Sequence, residues 1–154
     1  MKRFLATILT ALALPCAAAA NDAVVLPCEG RIASAQNTMG PAFQSAFDDV
    51  GVRVIGLDIG EPALGWALVM VTVRLVEIGG ESGHEACGIV GLGPNFGFSG
   101  LYFDTLDLHL SSPSEVILRI DVQQPGNGSG GDFVRRPLDI TVNRTTGEII
   151  AQQP

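Results

Sequence analysis

The run from Trp66 to Ile78, W-A-L-V-M-V-T-V-R-L-V-E-I, commits more of this chain to one conformation than any other stretch. Successive side chains of an extended backbone point to opposite faces. Val69, Val71, Val73 and Leu75 therefore share one side, and Met70, Thr72, Arg74 and Val76 the other. The first half is apolar on both sides, which predicts a strand in the middle of a sheet, covered above and below.

The other segments are shorter and read as partners for it. Val52 to Ile59 alternates until Gly60-Glu61-Pro62 breaks the pattern, and predicts an antiparallel neighbour. Ala23 to Leu26 and Arg31 to Ala35 read as short strands on either side of Pro27, which cannot donate to a ladder. Gly40-Pro41 opens the one expected helix. Proline suits a first helical position, Phe43, Ala46, Phe47 and Val50 recur at the spacing of a buried stripe, and Gly51 can end it. Asp48 and Asp49 sit at the wrong end for the helix dipole, and so short a helix has to dock its two phenylalanines on the sheet.

Farther on, Leu101 to Leu110 and Val116 to Gln123 form a predicted hairpin around Ser111-Ser112-Pro113-Ser114-Glu115. Its apolar face sets Leu110 against Val116, Leu108 against Leu118 and Leu106 against Ile120; its polar face sets Asp107 against Arg119, with His109 alongside. Pro125 to Gly131 reads as a surface loop. Phe133 to Asn143 and Glu148 to Gln152 close a second hairpin. There Arg144-Thr145-Thr146-Gly147 suits a type I turn with Gly147 left-handed, which places Val142 opposite Ile149 and Ile140 opposite Ala151. This ending, V-N-R-T-T-G-E-I-I, resembles the strand ending of PepSY-type and other small periplasmic antiparallel domains; no function is carried from the resemblance. Together these segments predict an all-β, mainly antiparallel, sandwich-like domain of about seven or eight strands with one short helix. The alternative is an α+β arrangement whose sheet wraps around the helix and fully buries Phe43 and Phe47.

Lys2 and Arg3, the apolar Phe4 to Leu14 and the small Ala18 to Ala20 have the order of a secretory signal peptide. Residues 1–20 are expected to be removed near Ala20, leaving 21–154 as one domain in the periplasm or the medium. A lipid anchor on Cys16 is the competing address, but Ala13 and Pro15 stand where a lipobox wants leucine and a small residue. No later run reaches the roughly 18 apolar residues of a membrane span. After residue 20 the chain has seven arginines and no lysine against sixteen acidic residues, a formal charge of −9. That balance excludes a nucleic-acid surface and an anionic membrane surface, and leaves simple solvation or a cationic partner, such as a basic protein.

In an oxidising compartment Cys28 and Cys87, the two thiols beyond residue 20, are expected to pair. On the chain-entropy model such a bridge stabilises by about 4 kcal/mol. His84 and Cys87 also have a metal-like spacing, yet only Cys28 and His109 could complete a soft-ligand set, so neither metal nor cofactor is implied. A hydrolase reading would use His84 with Glu81 or Glu85 and Ser82 as nucleophile. The G-E-S-G-H context misplaces the second glycine of a nucleophile elbow. Gly91-Leu92-Gly93 fails as a dinucleotide loop because Phe96 occupies the place of the third glycine. Phe96 and Phe98 in this glycine-rich run are a candidate binding loop, unless both rings turn inward onto the core. These readings favour a non-enzymatic binding or interaction module. The alternatives are a periplasmic hydrolase-type enzyme centred on His84 with Glu81 or Glu85, and a structural subunit of an envelope assembly that accepts a neighbour on an edge strand.

Overall fold

Nine strands follow the alternation of the sequence in a computed structural model that describes residues 23–30, 32–76, 84–126 and 131–154. They are β1 (Val24–Pro27), β2 (Gln44–Phe47), β3 (Val52–Asp58), β4 (Ala67–Arg74), β5 (Glu85–Gly91), β6 (Gly100–Ser111), β7 (Glu115–Pro125), β8 (Phe133–Asn143) and β9 (Ile149–Gln152). All pair antiparallel, in one sheet of order β1-β5-β4-β3-β2 and another of order β6-β7-β8-β9. The fold is an all-β sandwich, with β4 in the middle of the five-stranded sheet as its two apolar faces require.

The main core fills the space between the sheets. Val52, Val54, Val69, Val71, Val73 and Val90 meet Val116, Leu118, Ile120, Val122, Leu138, Ile140 and Val142, all essentially without exposure. Each such side chain contributes about 1.5–3 kcal/mol of burial. A second, smaller core lies on the outer side of the five-stranded sheet. There Leu57, Leu68 and Ile89, three outward residues of adjacent strands, are fully buried beneath Ile32 and Ala33.

The expected helix over residues 40–50 does not form. Pro41–Phe43 and Asp48–Val50 are single 3₁₀ turns, and Gln44–Phe47 between them is a strand laid on the free edge of β3. A helix of this length carries its acidic residues at the unfavourable end, whereas a hairpin gives the same backbone ladder partners. Gly51 is left-handed as expected, at φ 65°, but it caps the single 3₁₀ turn Asp48–Val50 of that hairpin, its amide donating to the Asp48 carbonyl, and not an α-helix. Phe43 and Phe47 are only half-buried, so the wrapped-helix alternative fails with it. Of the expected strand from Arg31 to Ala35, Arg31 lies outside the described residues and the rest is not extended: residues 32–34 turn and Ala35–Asn37 is 3₁₀.

The β8–β9 register is as expected, with Val142 opposite Ile149, Ile140 opposite Ala151 and Gly147 left-handed at φ 78°. In the β6–β7 hairpin Leu108 faces Leu118 and Asp107 faces Arg119, but a bulge at His109 slides Leu110 onto Ile117, not Val116. A second irregularity separates Tyr102 from Asp107, and Leu106 leaves the register with Ile120. Thr105 fills this break: its hydroxyl donates to the Tyr102 carbonyl and accepts from the Asp121 amide, both at 2.8 Å. The ladder group stranded by the extra residues is thereby satisfied.

Arg119 pairs across β7–β8 with Asp139, donating from Nε and Nη2 at 2.6 Å each. These two bonds hold the Asp139 carboxyl below the ordinary carboxylate range against the opposing effect of burial, with the Arg119 and His109 charges adding to them. A carboxylate lowered in this way adds stability that is fully present above its unfolded value near 3.9 and is lost as pH falls through the lower folded value. Asp139→Asn is therefore expected to lower Tm at pH 7 and to melt like the wild type near pH 2. A Tm gap that stays constant from pH 7 to pH 2 would contradict this.

Candidate groove beneath a disulfide-tethered strap

Pro27 pairs with Gly88, and the next residues, Cys28 and Cys87, are joined by a disulfide with Cα atoms 5.7 Å apart. Beyond it the chain crosses the outer face of the five-stranded sheet as a strap, described over residues 28–30 and 32–38, and regains the sheet where Thr38 bridges Leu57 and the Met39 amide donates to Gly56. Its backbone bonds turn back on itself, from Asn37 to Ser34 and from Thr38 to Ala35, and the Asn37 amide donates to the Ile32 carbonyl at 3.1 Å. The polar run S-A-Q-N-T suits such a segment: short side chains bond locally and neither a helical nor an alternating apolar face is offered.

Opposite the strap lies the connection from β3 to β4. Asp58 Oδ1 accepts from the Gly60 amide at 2.8 Å, Gly60 is left-handed at φ 75°, and the Glu61–Pro62 bond is cis. Trp66 anchors the far end, its Nε1 donating to the Ser99 carbonyl at 3.0 Å, while the Ser99 hydroxyl donates to Leu64. Between strap and connection runs an open groove. One part, about 680 Å³, is lined by Ile32, Ser34, Gln36, Ile59, Glu61 and Asn95 among others. It continues through Gln36, Asn37 and Ile59 into a part of about 570 Å³ that reaches Met39, Phe43, Asp58 and Trp66. Two carboxylates border the groove, and none of its described lining residues is basic. A mostly polar lining interrupted by Ile32 and Ile59, with one sign of charge, suits a ligand with a short apolar stem, a positive head and hydrogen-bonding groups.

Apart from Cys28 and Cys87, which tether the strap, the residues singled out by sequence fall elsewhere. Phe98 has no exposure and belongs to the main core, with Ala67 and Phe98 exchanging backbone bonds of 3.0 and 2.6 Å. Phe96 is half-buried, its ring lying against the Cα side of Gly65. Neither ring stands out as a loop tip. His84 is exposed just ahead of β5, where its carbonyl accepts from Leu75, and Glu85 is exposed at the first position of β5. Glu81 and Ser82 lie outside the described residues. His109 is exposed at its bulge, remote in sequence and strand from His84. Among the described residues no three His, Cys, Asp or Glu side chains are grouped to hold a metal, and no helix is long and apolar enough to cross a membrane.

The groove itself had little sequence signal. Its residues come from 32–43, 58–66 and 95, three segments that acquire a common wall only after the strap crosses the sheet. The one cue is the polar run Ser34 to Thr38 between two apolar stretches. No protein-family model, no curated protein and no solved structure matches the chain.

Proposed function

We propose that this is an exported, non-enzymatic binding module that takes a cationic partner, a basic segment of another protein, in the groove beneath the strap. The observation that carries the reading is the pairing of Asp58 and Glu61 with a described lining free of cations, on a chain whose charge beyond residue 20 is −9. A lysine or arginine stem would lie along Ile32 and Ile59 with its charged end at the carboxylates, while Gln36 and Asn95 meet the partner's backbone. The signal-like residues 1–20 and the disulfide support export.

Binding of this kind weakens with ionic strength because the carboxylates are partly exposed. A low-salt pull-down from the periplasmic or extracellular fraction is expected to retain a basic protein that elutes as salt rises from about 50 to about 200 mM. Asp58→Asn with Glu61→Gln should weaken that complex about 5- to 10-fold at low salt and leave the melting temperature nearly unchanged. Retention indifferent both to salt and to this double substitution would refute the reading.

A further inference from the structure

We infer that the Cys28–Cys87 bridge is a redox latch on the strap, so that reduction lifts its described residues, 28–30 and 32–38, off the outer sheet face and dissolves the groove while the sandwich stays folded. The two cores make this separation possible. The main core lies between the sheets and does not involve the strap, whereas the strap packs on the separate cluster of Leu57, Leu68 and Ile89 on the opposite face, which Ile55, Ile59 and Met70 also border. Those three residues hold the strap through Ile32, Ala33 and the bridge itself, since Cys28 packs in the same cluster. At one end the strap is fixed by the ladder at Thr38 and Met39. At the other it leaves a four-residue edge strand that ends in a proline, and the disulfide is the tie at that point.

Both cysteines are part-exposed, so a dithiol can reach them. Its thiolate attacks one sulfur and expels the other as a thiolate; its second thiol then resolves the mixed disulfide. Two electrons and two protons pass to Cys28 and Cys87, and the dithiol leaves as a disulfide. Release of the strap uncovers three apolar side chains in adjacent strands, and it removes the wall formed by Ile32, Ser34, Gln36 and Asn37. The latch rests on the geometry of the strap alone; only its effect on partner binding rests on the function proposed above.

The test uses the full chain, oxidised and then treated with dithiothreitol, with an apolar-surface dye (anilinonaphthalene sulfonate) and hydrogen exchange read by peptide. Reduction is expected to raise dye fluorescence at least about 3-fold and to speed exchange over 28–39. Exchange in β6 to β8 should remain within about 2-fold, and reoxidation should restore both signals. A reduced protein with unchanged dye binding and strap exchange overturns the latch, and so does one in which β6 to β8 lose protection together with the strap. Alanine at Ile32, with the bridge intact, should reproduce part of the dye signal without any reductant; its absence would also count against the latch. Because none of these readings involves the cationic partner, the latch can fail while the groove assignment stands, and the reverse.

Discussion

Gly97→Ala is expected to cost about 3 kcal/mol or more, a large share of the roughly 5–15 kcal/mol that keeps a domain of this size folded. A Cβ at this position would lie 2.1 Å from the Ala67 carbonyl oxygen and 2.7 Å from its carbon. Both obstacles are backbone. They cannot swing aside, because Ala67 and the neighbouring Phe98 exchange two hydrogen bonds and the Gly97 amide donates to Gly65 at 2.7 Å. The substituted chain must therefore break the crossing that joins the start of β4 to the segment before β6. Gly40→Ala supplies the comparison, since nothing lies within 4 Å of its added carbon and its φ is −59°. That variant should stay within about 0.5 kcal/mol of the wild type in urea melts. Equal stability of the two variants would mean that the crossing is looser than described.

The second large effect is expected at Phe98, the largest fully buried side chain in the molecule's described part. Phe98→Ala should lower stability by about 3–5 kcal/mol through lost transfer energy and the cavity left behind. Phe96→Ala, removing a half-buried ring over Gly65, should cost only about 1–2 kcal/mol. Urea denaturation of the pair separates a core residue from a contact residue. A Phe98 variant as stable as the wild type but impaired in partner capture would restore the aromatic loop as a binding element.

Much of the sandwich was legible because its strands obey two-fold alternation between a wet and a dry side. β4 could be placed at the centre from Leu68 and Met70 alternating with Val69 and Val71, since two apolar faces demand two coverings. Both coverings exist, the main core on one side and the strap with its three residues on the other. The β8–β9 register followed from one turn, because the left-handed Gly147 fixes which residues face each other. Bulges leave no such mark. His109 looks like any polar-face residue, yet its insertion moved Leu110 to the outer face beside Ile117. Residues 40–50 failed for a related reason, as Phe43, Phe47 and Val50 satisfy helical spacing although the free edge of β3 gives the same backbone a better set of hydrogen-bond partners. The groove was the least legible part, because it belongs to no element and exists only where the strap, the β3–β4 connection and Asn95 come together.

The kinks in β6 have a consequence for life at high concentration. Its twelve residues would otherwise offer a long straight row of amides and carbonyls to a passing chain, but the row is interrupted at Tyr102/Asp107 and again at Leu108/Leu110. Among the described residues the remaining margins, β1, β2 and β9, are four residues each, and Pro27 blunts one of them. An intruding segment could zip on for only a few bonds before meeting a bend or a turn, too few to template fibrils, so crowded copies are expected to jostle as separate particles.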